Sequence, residues 1–376
     1  MKTLLTHLNR SSNHLFPMKP YRLALTLLAT AALTHSASAQ VEIRISGAVA
    51  FRANAYRAIR ALYGPNLVSQ NPADGPTTAN ELKVTWSGTI PALYGEQTVT
   101  VQAFYNGAVA GVQDLTQNRL VPFLASATAG TTNLAPAQSD LAFSSVFQQA
   151  TEFTTPTLED TLFGATPINL VKSSSAPAGL TNITTHQLKT LAANGALPAW
   201  FFTGNTNDTQ LIHFINRDPT AGQRVTLFKE ALFTGNPIQY SWDPARNEFV
   251  LDPTGRNATQ IAAQLNTAGP AISYLISADS FTVNAGQNIL SYNGHKALNG
   301  VFNNTANDFS PILNGQYSLW VYEHILNRTT ASANVRAFRD AFIAAISQEL
   351  ETSPFSVPID RLLVERTADG APVAPR

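Results

Sequence analysis

The residues best suited to chemistry lie in the stretch Asn216-Arg217-Asp218-Pro219-Thr220-Ala221-Gly222-Gln223-Arg224-Val225-Thr226. An arginine precedes a short turn holding Pro219 and Gly222, and a helix-forming run follows. A helix start offers unpaired N–H groups and a partial positive charge. Arg217 adds a planar fork of donors suited to a tetrahedral oxyanion or a carboxylate. The chemistry on offer is anion holding; a plain surface ion pair is the competing reading of Arg217. Two glycine turns far away in the chain fit the same purpose. Ser46-Gly47-Ala48 and Asn106-Gly107-Ala108-Val109-Ala110-Gly111 each stand between a strand-like and a helix-like run. Ordinary turn glycines are the alternative there. Ser139-Asp140 opens a short apolar run through Phe143, where capping of a turn is the alternative role.

Other chemistries find no support. The 376 residues include no cysteine, which excludes disulfides, thiolate metal sites and cysteine nucleophiles. His186, His213, His295 and His324 are isolated in sequence, without metal-ligand spacing. There is no HExxH, nucleophile elbow, phosphate-binding P-loop or dinucleotide fingerprint. The expectation is a protein without catalytic residues, metal or cofactor. Lys+Arg and Asp+Glu both number 24, so the basic surplus of a nucleic-acid binder is absent. Charged residues make up 13%, about half the usual ~25%, as in many exported proteins.

Lys19 and Arg22, the apolar run Leu23 to Leu33 and the small residues Ala37-Ser38-Ala39 form a secretory signal. Cleavage is expected near Gln40, with Met18 the better start. No later run is long and apolar enough for a transmembrane helix, so a periplasmic or secreted location is expected.

Val41 to Ile45 alternates as a strand, and Phe51, Ala55, Ile59 and Leu62 follow at helical spacing. Residues 65–80 and 126–138 are expected as loops. Strands are expected over 84–87, 98–105, 139–143, 168–172 and 271–277, and a hairpin about Asp243-Pro244. Thr184-x-x-Gln187 is a capping box whose helix stops at Gly195. Helices are expected over 112–120, 209–216, 224–233 and 259–268. Tyr317 to His324 reads as a strand crossing between lobes. A closing helix with Val335, Phe338, Phe342, Ile346 and Leu350 on one face precedes a last strand at 359–366. This alternation implies an α/β fold with mostly parallel sheets flanked by helices, with ligands at glycine turns beyond the carboxyl ends of strands.

Together these segments resemble the phosphate-binding proteins of bacterial phosphate ABC transporters, within the type 2 periplasmic-binding-protein superfamily. The resemblance runs from Ile45 to Arg366, through Ser46 to Phe51, Asn106 to Val112, Ser139 to Ala142, Arg217 to Gln223 and Gly315 to Trp320. It implies two lobes, joined by crossing strands, that close over an oxyanion: lobe I from 41–165 and 316–376, lobe II from 166–315. It implies anion contacts at Ser46, Gly47, Ala50, Phe51, Gly107, Ala108, Ser139, Asp140, Arg217, Ala221, Gly222 and Gln223. Arg217 would supply charge, and Asp140 would accept a hydrogen bond from a protonated ligand. A partner ABC permease or sensor is implied with it.

The departures fall on hydroxyl positions. The family's first-loop Thr is Ala50, the Ser of its second loop is Ala108, and its Ser-Gly-Thr after the arginine turn is Ala221-Gly222-Gln223. A hydrogen bond to a charged ligand contributes roughly 1.5–3 kcal/mol, so losing three weakens binding by orders of magnitude. Arg52, Gln223 and Arg224 are donors beside the same loops. The expectations are therefore capture of a small oxyanion, phosphate or a related ion, or else an envelope structural protein that keeps the fold around a vestigial site.

Overall fold

A computed structural model describes residues 40–376 except 129 and 304. The expected signal segment lies outside the described residues. The labelled elements, in chain order, are β1 (Val41–Gly47), α1 (Arg52–Tyr63), β2 (Leu67–Asn71), β3 (Lys83–Thr89), β4 (Thr98–Phe104), α2 (Ala108–Thr116), β5 (Leu120–Leu124), β6 (Leu134–Gln138), β7 (Leu141–Ser144) and β8 (Leu158–Lys172). They continue with α3 (Thr185–Asn194), β9 (Ala196–Pro198), β10 (Leu211–Phe214), α4 (Gly222–Glu230), β11 (Tyr240–Asp243), β12 (Glu248–Leu251), α5 (Ala258–Thr267) and β13 (Ala271–Ile276). β14 (Trp320–Arg328), α6 (Ala333–Glu351) and β15 (Val357–Pro358) close the chain.

An 11-stranded sheet runs β9-β10-β13-β8-β14-β7-β1-β4-β3-β2, with β15 beside β8. β1 is parallel to both β4 and β7, and β10 is parallel to β13. The pairs that join the two lobes are antiparallel. β8 has 15 residues, about 50 Å of extended chain. Its first part pairs with β14 from Leu158↔Arg328 to Pro167↔Trp320. Its last part pairs with β13 from Ile168↔Ile276 to Lys172↔Ile272. One strand therefore belongs to both lobes.

Each lobe has its own core. Ile43, Ile45, Phe51, Ile59, Val101 and Phe143 pack with Phe338, Phe342 and Ile346 of α6. Leu170, Leu188, Leu191, Phe214, Leu227, Ile261, Leu265 and Tyr274 form the second core. α6 starts at Ser332, whose hydroxyl accepts the Val335 N–H, and buries Val335, Phe338, Phe342, Ile346 and Leu350 at helical spacing. Thr184 and Gln187 complete their reciprocal cap on α3, and Gly195 stops it.

Several expected elements differ. Residues 211–214 form strand β10, not a helix. Ile212 and Phe214 are buried while Leu211 is exposed, which is the period of two of a strand. Part of the expected loop at 126–138 is β6, paired with β5, and the expected loop at 65–80 contains edge strand β2. The last strand is replaced by a short turn at Ile359–Arg361 and a two-residue strand, Val364–Glu365.

The end of the chain packs against the second core. Val357, Leu362 and Val364 join the second core. The buried Asp369 carboxylate accepts the Phe147 N–H at 2.9 Å and the Thr226 hydroxyl of α4 at 3.1 Å. Gly370, at φ +73°, lies so close to α4 that an added Cβ would stand 2.5 Å from Lys229 Cβ. The Arg366 guanidinium stacks 3.9 Å over the Trp320 ring.

Glu323 sits on β14 at the bulge in its pairing with β8 and is fully buried. Its Oε1 accepts the Thr166 hydroxyl, and Oε2 has no hydrogen-bond partner among the described residues. Burial pushes its pKa up to about 7, against the opposing pull of Thr166 and Ser356. The folded state then keeps a proton that the unfolded chain releases from about pH 4.5 upward, so folding stability falls as pH rises towards 7 and levels off above it. The loss is about 3 kcal/mol across that window. Urea unfolding at pH 5 and pH 7 should show Glu323→Gln losing less stability over this range than the unmutated protein, by about 2 kcal/mol, the part of the window that lies between those two pH values. Equal losses would show that Glu323 is ionised in the fold.

Candidate functional site

The carboxyl end of β1 turns at Gly47, where φ is +118° and an added Cβ would lie 2.0 Å from the Phe143 carbonyl oxygen. Only glycine fits such an approach. Gly47 donates its N–H to Asn106 Oδ1 and accepts from the Gly107 N–H, both at 2.8 Å. The two glycine turns are thus bonded to each other. Gly107 caps α2 at φ +114°, and a Cβ there would meet Thr220 Oγ1 at 2.6 Å. Thr220 lies far along the chain, in the turn before α4. Its carbonyl accepts the Val109 N–H at 3.1 Å, using one of the free donors of the α2 start.

The α4 start stands against the same place. A Cβ on Gly222 would lie 2.3 Å from Ser145 Oγ and 2.9 Å from Ala108 Cβ. Gly47, Gly107, Ala108, Ala221 and Gly222 are therefore brought together. The starts of α2 and α4 touch, leaving no ion-sized gap between Ala108 and Gly222.

Other expected residues lie elsewhere. Phe51 is a core residue, its ring edge-on to Phe143 and Phe163 at 5.2 and 5.1 Å. Ala50 is buried beside it. Ser46 accepts a hydrogen bond from the buried Ser139 hydroxyl at 2.9 Å. Asp140 is bound to the β1 backbone: its Oδ2 accepts the Arg44 N–H at 2.8 Å, and its own N–H donates to the Arg44 carbonyl. It precedes β7, about 13 Å of strand away from the carboxyl end. That end presents Ser144 and Ser145, and Asp140 is not on the cavity wall. Burial raises its pKa, while the Arg44 N–H and the charges of Arg44 and Arg328 oppose the rise. The expectation that Asp140 faces a ligand is corrected: a strand-opening residue of a parallel pair sits at the wrong edge.

Beside the touching helix starts lies a cavity of about 330 Å³ between the lobes. Val49, Arg52, Asn80, Leu82, Phe104, Tyr105, Asn106 and Gly107 line it from the first part of the chain, and Arg217, Asp218, Thr220, Ala221 and Asn257 to Thr259 from the middle part. Arg217 is 4% exposed. It donates Nη1–H to Gln223 Oε1, and its Nε lies 3.8 Å from the Asp218 carboxylate, without a hydrogen-bond partner among the described residues. Its backbone carbonyl accepts from Arg224 Nη1 at 2.6 Å. Gln223 thus orients Arg217, and Arg224 fixes its backbone.

Opposite stands Arg52, also buried. Its Nε donates to the Asn80 carbonyl at 3.0 Å, and Nη2 lies 3.9 Å from Asp279 Oδ1. Among the described residues neither arginine has a carboxylate within hydrogen-bonding distance, so each can accept an anion as a closer partner. Tyr105 adds a buried hydroxyl with no partner among the described residues; burial raises its pKa, so it remains a neutral donor. The start of α5 also reaches the wall. Asn257 and Gln260 cap it reciprocally, and its dipole places positive potential on the cavity.

Wall residues absent from the expected contacts are Val49, Asn80, Leu82, Phe104, Tyr105, Asn106, Asp218, Thr220 and Asn257 to Thr259, and Arg52 is expected from sequence only as a donor beside the loops. The Asn257-x-x-Gln260 pattern marked a helix start in the sequence, but nothing local placed that start beside Arg217. The wall position of Leu82 depends on tertiary packing alone.

No family model and no curated protein sequence matches the chain. Solved structures do. One is a protein assigned as a phosphate ABC transporter substrate-binding protein, from Clostridium perfringens, with bound phosphate. It is 14% identical, the match covers 85% of this chain and 99% of that one, and the TM-score is 0.53. The chain has the two-lobed fold of these solute-binding proteins. An ABC-type phosphate transport receptor from Vibrio cholerae is 16% identical, over 82% of this chain and 98% of that one, with a TM-score of 0.47. At such identity the likeness is one of fold, and what the site holds must be argued from its own residues.

The contact between helix starts makes a direct test. Gly222→Val pushes a side chain into Ala108 and Ser145 and should lower stability by roughly 1–3 kcal/mol. Gly130→Val, where nothing lies within 4 Å of an added Cβ, should change little. Equal melting temperatures for the two variants would show that the lobes do not meet at Gly222.

Proposed function

We propose that the protein is an exported solute-binding protein that captures a small oxyanion, phosphate or a related ion, in the interlobe cavity. Delivery would be to an ABC permease or a sensor. One observation carries this reading: two buried arginines from opposite lobes, Arg52 and Arg217, face one cavity, each with its nearest carboxylate at 3.8–3.9 Å. Neither lobe alone supplies both charges, so an anion held between them favours the closed arrangement. The start of α5 adds backbone donors on the same wall. In this reading Arg217 and Arg52 supply charge, Gln223 holds the Arg217 fork, and Asp218 disfavours ions that bring no proton to it.

A second reading is an envelope structural protein whose anion site has been given up. The touching Ala108 and Gly222, and the Thr220 carbonyl on the Val109 N–H, support it. Those contacts fill the place between helix starts where the resemblance puts the ion.

Titration calorimetry on residues 40–376 separates the two, with phosphate, sulfate, molybdate, phosphonates and small carboxylates. Binding of one anion, weakened about tenfold or more by Arg217→Ala, is the expected result. Absence of heat with every anion would leave the structural reading standing.

A further inference from the structure

We infer that the ligand is an organic anion, an oxyanion head joined to an apolar body of about six carbon atoms, rather than a free inorganic ion. This rests on the anion-binding reading above and narrows it. The first ground is the closed space between α2 and α4: Ala108 meets Gly222, and Thr220 takes the Val109 N–H. A bare ion held by both helix starts has no room there.

The second ground is size. The open cavity measures about 330 Å³, room for about ten heavy atoms at the ~30 Å³ per water-sized atom of a liquid. Inorganic phosphate has five, so half of the space would stay with water.

The third ground is the mixed lining. Arg52 and Arg217 supply cationic groups to the cavity, while Val49, Leu82, Phe104 and the Tyr105 ring supply apolar surface to it. Leu82 is 47% exposed, a large aliphatic surface at the cavity that an inorganic ion cannot cover. Ala221 adds a methyl where the resemblance implies a hydroxyl. Each methylene buried on such a wall strengthens binding about fourfold. A six-carbon body therefore gains two to three orders of magnitude over a methyl group.

Calorimetry with methyl-, butyl- and hexylphosphonate, hexanoate, inorganic phosphate and neutral 1-hexanol tests this. The expected result is affinity that climbs with chain length, with phosphate weakest and hexanol not bound. Leu82→Ala should flatten the climb, and Arg217→Ala should weaken every phosphonate in parallel. Phosphate binding as tightly as hexylphosphonate, or tighter, would overturn the organic-anion inference and leave anion binding intact. Hexanol matching hexylphosphonate would overturn both, as would no binding by any compound at millimolar concentration.

Discussion

The structure depends on the pairing of β8 with β14. These strands are hydrogen-bonded from Leu158↔Arg328 to Pro167↔Trp320, and the same β8 continues to pair with β13. A strand's backbone groups must be paired wherever they are buried. The long pairing therefore fixes how the two lobes stand to one another. The α2 start, the α4 start and the Arg217 turn can meet only because this shared strand sets their distance. The bulge between Glu323 and His324 falls where β8 passes from one lobe towards the other, and a buried carboxyl sits beside it.

Closure is held by a few contacts rather than by one large apolar face. The Val109 N–H binds the Thr220 carbonyl across the gap, and the Asp369 carboxylate joins Phe147 to Thr226. The Thr220 and Thr226 ends of these ties lie on α4 or the turn before it. That turn also carries Arg217, so the element that positions the positive charge is the one that the other lobe and the chain terminus hold in place. The site inherits its geometry from those bonds.

Much of the fold was legible because its signals are local. The Thr184–Gln187 box, the Gly195 stop, the Asp243 hairpin and the Val335 to Leu350 stripe each follow from a few neighbouring residues, and the structure contains each of them. Residues 211–214 misled because four residues carry too little periodicity to separate strand from helix; burial beside β13 decides. The resemblance to phosphate-binding proteins extends to the fold, as the Clostridium perfringens structure shows. The site was less legible. Arg217 and the glycine turns, chosen by chemistry and spacing, come together beside one cavity. Asp140 was misplaced because a strand-opening residue and a strand-closing residue look alike until strand direction and register are known. Leu82, Tyr105 and Asp218 reach the cavity through tertiary placement that no local pattern encodes.

The central claim is that Arg52 and Arg217 act together on one anion, and a double-mutant cycle tests it most directly. Phenylphosphonate affinity would be measured for the unmutated protein, Arg52→Ala, Arg217→Ala and the pair. The account predicts that each single change weakens binding about tenfold or more, and that the double change departs from the sum of the two. Arg52→Ala binding as tightly as the unmutated protein would contradict it.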